Sequence, residues 1–195
     1  MVLKKKSKSK LFFISFVLIS GTIFGSIIAN NLDGLLIDSL SISVKNFFSQ
    51  NMKYVYESRV NLFANEFFKN IKTVLFLWIS GFIPFGNFFL SLILFLKGLS
   101  YGFTSSILFS VYKFKGIFYV LKFIFPTNFV LLLIFIFVAN HSIKFLKSAQ
   151  TQNKNLLKQN MIEHTFIFIF SVSCVFLITL ANIYFLSWME KIADT

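Results

Sequence analysis

The 195-residue chain has one cysteine, one arginine, two histidines and seven acidic residues. A lone cysteine, Cys174, excludes an intrachain disulfide and any cysteine-based metal centre. It lies in "SVSCVFL", where a thiol reads as a small buried hydrophobe. The two histidines, His141 and His164, border a polar stretch, and Glu163 beside His164 has no third partner at a useful spacing. HExxH, GxSxG, a glycine-rich phosphate loop and paired intramembrane carboxylates are all missing. These absences predict a protein with no catalytic residue, no metal and no cofactor, and therefore not an enzyme. Pumps and channels commonly carry acids within their membrane segments, yet no Asp or Glu stands between Lys72 and Lys158.

What the chain has in excess is apolar surface. Hydrophobic residues make up 56% of it and charged ones 13%, and the mean hydropathy is +0.77. A soluble domain sits nearer half apolar with about a quarter charged. A hydrocarbon core about 30 Å thick needs roughly 20 apolar residues per helix. Composition therefore predicts an all-α, polytopic membrane helix bundle surrounded by membrane lipid. The formal net charge of +12 comes from 18 lysines and Arg59 set against the acids. These cations flank apolar runs and form no basic face interleaved with aromatics, which argues against nucleic acid as a partner. Lysine, asparagine, isoleucine and phenylalanine all have A/T-rich codons, so base composition accounts for the same bias.

The opening "MVLKKKSKSK" precedes an apolar run, Leu11 to Asn30. That run is longer than the roughly 7–15 residues of a signal-peptide core, and no A-x-A pattern follows it. It reads as an uncleaved first membrane helix whose N-terminus Lys4, Lys5, Lys6, Lys8 and Lys10 hold in the cytoplasm. Residues 31–72 leave the apolar regime, with Val44, Phe47, Phe48, Met52, Val55, Phe63, Phe67 and Ile71 at three-to-four spacing. This predicts an extracytoplasmic amphipathic segment on the membrane surface or over the bundle.

A second span, Val74 to Leu96, contains Gly81, Pro84 and Gly86, and Pro84 should kink or break it. Gly98 to Tyr112 is a short third span, only about 22 Å as a helix. Gly116 to Asn140 forms the fourth, with Pro126 inside it, and His141 to His164 a polar cytoplasmic loop. Thr165 to Met189 is the fifth, with Tyr184 and Trp188 at the aromatic-belt level. No linker or low-complexity tract divides the chain, which reads as a single membrane domain.

Lys97, in "FLKGLSYGFTSSILF", stands within a region that is apolar from Val74 to Tyr112. It is either a functional intramembrane charge or the mark of a membrane surface where the chain turns back. Counting lysines and arginine on each side does not decide. Five crossings place ten inside and nine outside, and a re-entrant Gly98–Tyr112 gives the same tally. The positive-inside rule is silent beyond the first helix.

Two small-residue pairs, Gly21-x-x-x-Gly25 and Gly98-x-x-x-Gly102, make flat helix faces that permit close backbone approach. The approach is either within the chain or between copies in a homo-oligomer. Pro126-Thr127-Asn128 is either a kink whose freed carbonyl is satisfied locally, or a broken helix at which Asn128 lines a site.

The segments "FGSIIANNL", "LWISGF", "FLKGLSYGFTSSIL", "FPTNFVLLLIFIF" and "SIKF" occur in this order from Phe24 to Phe145. In them the chain resembles stage II sporulation protein M, a family of membrane proteins from endospore-forming bacteria. The resemblance implies five membrane spans with the N-terminus cytoplasmic, the C-terminus extracytoplasmic, and Lys97 at the cytoplasmic turn between the second and third. It also implies a role at the sporulation septum during engulfment. There the family protein resembles a scaffold for two peptidoglycan-cleaving partners, stage II sporulation proteins D and P. A broader branch carries "PHG" followed by Glu in the fourth span. Here "PTNF" lacks both the histidine and the acid, so chemistry attached to them does not carry over.

The expected function is thus a non-enzymatic scaffold that docks septal peptidoglycan hydrolases through residues 31–72, with Tyr54, Tyr56, Arg59 and Phe63 as candidate contacts. A membrane transport component built on the breaks at Pro84 and Pro126 is the alternative.

Overall fold

The computed structural model describes residues 2–54, 59–114, 125–149 and 154–193. It consists of helices α1 (Val2–Asn30), α2 (Gly34–Tyr54), α3 (Arg59–Ile79), a 3-10 turn (Ser80–Phe82), α4 (Gly86–Tyr112), α5 (Phe125–Ala149) and α6 (Lys154–Ala193). No strand occurs among the described residues. Four stretches are long and apolar enough to cross a bilayer: Phe12–Asn30, Gly86–Tyr112, Asn128–Ala149 and Leu157–Tyr184. Alongside them α3 runs antiparallel to α6, with Phe63 and Phe67 against Phe176 and Trp78 against His164 and Phe168. The protein is therefore an all-α membrane bundle of about the expected size.

The closest packing joins α1 to α4. Along α4 every fourth residue is buried, from Gly86 through Leu90, Leu94, Gly98 and Gly102 to Ser106. Ile14, Leu18, Gly21, Gly25 and Ala29 make the matching stripe on α1. A Cβ at Gly21 would collide with the carbonyl oxygen of Phe95, one at Gly25 with that of Leu99, one at Gly98 with that of Leu18 and one at Gly102 with that of Thr22. Both small-residue pairs thus face each other within one chain, and the helices run parallel. Ser106 donates to Asn30 Oδ1 at 2.8 Å and ties the far end of the seam.

The turn expected at Lys97 is absent, because α4 passes through it without interruption. Glycines at 98 and 102 would ordinarily weaken a helix. Here they are the positions α1 approaches most closely, so packing compensates for the missing side chains. The reversal lies instead at Pro84. Ile83 is extended (φ −91°, ψ 133°), as a residue before proline must be. Gly86 N–H donates to the Ile83 carbonyl at 2.8 Å, which makes Pro84 and Phe85 the corners of a β-turn. Gly86 then rests against the Ser80 carbonyl, where any Cβ would collide. The chain does break at Pro84, and the break separates α3 from α4 rather than bending one span.

Two further boundaries move. Residues 31–72 are not one segment ending before a membrane span: α2 and α3 are separate, and α3 continues to Ile79 with Asn70, Thr73, Val74 and Leu77 buried. The stretch from His141 is not a loop either, since α5 extends to Ala149 and α6 starts at Lys154. Leu131, Phe135, Val138, Ser142, Phe145 and Leu146 continue one buried stripe past the point where hydropathy falls. Pro126 stands in the first turn of α5, where a missing N–H costs little.

Leu90, Leu94, Leu131, Phe135, Val138, Val74, Leu77 and Val175 form the centre of the core. Ser80 and Thr179 donate to the preceding turn, to Phe76 O at 2.7 Å and Val175 O at 2.8 Å, whereas the buried Ser142 and Ser171 hydroxyls have no partner among the described residues.

Replacing Gly98 or Gly25 with leucine should force α1 and α4 apart and cost about 1–3 kcal/mol. Thermal unfolding in detergent measures it. Gly34→Ala, where nothing lies within 4 Å, is the control that should leave stability unchanged.

Candidate functional site

With Gly98 pressed against α1, its neighbour Lys97 points to the other side of α4. The ammonium stands 5.3 Å from the centre of the Phe135 ring on α5. Lys97 is eleven residues from the start of α4, about 16 Å along a helix about 40 Å long. Among the described residues no carboxylate lies within ion-pair distance of it.

Lys97 faces a half-open cavity of about 800 Å³. Lys69, Glu66, Asn70 and Thr73 of α3 form one wall, and Ser100, Tyr101 and Thr104 of α4 another. Asn128 and Asn182 enter from α5 and α6, while Leu40 and Val44 of α2 roof the space. The cavity therefore holds two ammonium groups and a single acid. The apolar residues Phe76 and Leu96 line it as well, and both are exposed on the outer side of the bundle.

A second polar centre sits at the other end of α3. His164 is fully buried, and its Nε2–H donates to the Trp78 carbonyl at 3.1 Å. That carbonyl belongs to the last turn of α3, which has no helical partner for it. His164 thus caps α3 from α6. Gly81 lets the imidazole come close, since a Cβ there would lie 2.8 Å from Nε2. The ring stacks on Phe145 at 4.5 Å and, more loosely, on His141 at 6.2 Å. His141 donates from Nε2 to Glu163 at 3.0 Å across the α5–α6 pair. Spacing alone concealed this meeting, because it depends on the antiparallel pairing of α5 and α6.

Of the predicted contact residues, Tyr54 closes α2 and Arg59 opens α3, whereas Tyr56 lies outside the described residues. Phe63 is half-buried, 5.3 Å from Phe67 and 5.3 Å from Phe176. Asn128 is half-buried on the cavity wall, apart from the break at Pro84. The cavity around Lys97 was missed, although the lone lysine in an apolar run was its signal.

A family model for Stage II sporulation protein M matches residues 13–184, which is most of the chain. The chain belongs to the stage II sporulation protein M family. It is accordingly a sporulation-associated membrane protein. No curated protein and no solved structure matches it. The family match covers the described stretches of α1 from Phe13, α2 to α5, and α6 to Tyr184, and so takes in both polar centres.

Replacing His164 with alanine should leave the Trp78 carbonyl unpaired and open a void beside Phe145, lowering stability by about 2–4 kcal/mol. Glu163→Gln should cost less than about 1 kcal/mol, because the carboxylate is 62% exposed. Thermal unfolding of the two variants side by side checks the order.

Proposed function

We propose that the protein is a non-enzymatic membrane scaffold of the engulfment machinery, anchoring septal peptidoglycan hydrolases, stage II sporulation proteins D and P, at the sporulation septum. Membership of the stage II sporulation protein M family carries this reading. The surface chemistry supports it. Helix α2 lies mostly outside the bundle and presents Leu35 (86% exposed), Leu36 and Ile42 next to Asp33 and Asp38. Exposed apolar residues among charges suit protein docking. A C-terminus opposite the N-terminus is supported by the helix directions. α1 and α4 run parallel, whereas α3 lies antiparallel to α6 and α5 antiparallel to α6. A cytoplasmic N-terminus then puts α2 on the extracytoplasmic side.

The transport reading rests on interrupted spans. Pro84 lies between helices and Pro126 at a helix start, so neither opens a membrane-buried backbone among the described residues. Only Asn128 on the cavity wall remains in its favour.

Tagged protein purified in mild detergent from sporulating cells should bring the two hydrolases with it in near-equal amounts. Arg59→Glu combined with Tyr56→Ala should lower that recovery roughly tenfold, equivalent to about 1.4 kcal/mol at the interface, with membrane insertion unchanged. Phe63→Ala is less informative, since it also removes packing on Phe176. Recovery of a self-oligomer alone would overturn the scaffold.

A further inference from the structure

We propose that the cavity between α3 and α4 binds an anionic lipid, its phosphate held by Lys97 and Lys69 and its chain leaving between Phe76 and Leu96. Lys97 is half-buried on the cavity wall, and withdrawing a cation even partly from water without a counter-charge is costly. The ring of Phe135 compensates Lys97 only in part, for the attraction of an aromatic face is weak beside that of an anion. No carboxylate pairs with Lys97 among the described residues, and the cavity wall carries one acid, Glu66, against two lysines. An anion is therefore the missing element of charge balance.

The shape decides what carries that anion. Asn70 and Tyr101 add polar groups beside the lysines, whereas Ser100 and Thr104 already donate to helix carbonyls. The phosphate would thus be met by two ammonium groups and a small number of neutral donors. On the other side the α3–α4 seam is lined by Phe76 and Leu96, which line the cavity and are also exposed at the bundle surface. A soluble oxyanion has no use for such an apolar exit, whereas an acyl chain fits it. The volume of about 800 Å³ accommodates a headgroup and the first part of a chain.

The test uses the full-length protein in a zwitterionic detergent, titrated with phosphatidylglycerol, phosphatidylcholine or inorganic phosphate. Bound lipid is read by native mass spectrometry and stability by thermal unfolding. Phosphatidylglycerol should be retained roughly tenfold better than phosphatidylcholine and should raise the Tm. Lys97→Met should lose that preference and melt higher than the wild type when no lipid is added, because an uncompensated charge is gone. Lys97→Arg should keep the preference. Lys45→Gln, which removes an exposed lysine of α2 away from the cavity, should also keep it. Equal retention of the two lipids, or an unchanged preference in both Lys97→Met and Lys69→Gln, overturns the proposal. Protection by inorganic phosphate as strong as that by phosphatidylglycerol overturns the lipid assignment in favour of a soluble anion.

Discussion

The contact on which the rest of the bundle depends is the backbone-to-backbone approach of α1 and α4 at Gly21, Gly25, Gly98 and Gly102. In a membrane the helices gain little from hiding apolar side chains from one another, since lipid is equally apolar. Association then relies on close packing, and four glycines bring two main chains nearer than any other residue would permit. The Ser106–Asn30 hydrogen bond at the end of the seam sets the register between the parallel helices.

Two consequences follow for the rest of the chain. Because α1 needs an unbroken face on α4, the helix continues through Lys97, and the half-buried ammonium comes to line the cavity between α3 and α4. The reversal before α4 has to occur earlier, and Pro84 supplies it with an extended residue before and a β-turn after. That leaves the last turn of α3 buried with an orphan carbonyl, which His164 satisfies from α6. The glycine seam, the proline turn and the histidine cap therefore depend on one another, although 60 or more residues separate His164 from the other two.

The two polar centres divide the molecule. At the histidine end imidazole, indole and phenyl rings stack and the His164–Trp78 bond is internal to the bundle, with the exposed Glu163 carboxylate at its rim. The lysine end is open to the bundle surface and carries excess positive charge. A docking role places the working surface at α2, which also roofs the lysine cavity. A ligand in the cavity, as proposed, would touch Leu40 and Val44 of α2.

Composition and periodicity determined the class of fold, the first helix, the small-residue faces and the break at Pro84, because these depend on residue type within a few turns of chain. The ordered motifs from Phe24 to Phe145 pointed to the family. Hydropathy left Lys97 open between an intramembrane charge and a surface turn and read His141 as the start of a loop, and the resemblance put a turn at Lys97, since averaged polarity cannot tell a helix that continues from one that ends. Only the tertiary structure decided these points. A half-buried lysine on a cavity wall and a histidine capping a distant helix owe their environment to neighbours supplied by other helices, and that pairing is set by packing rather than by local sequence.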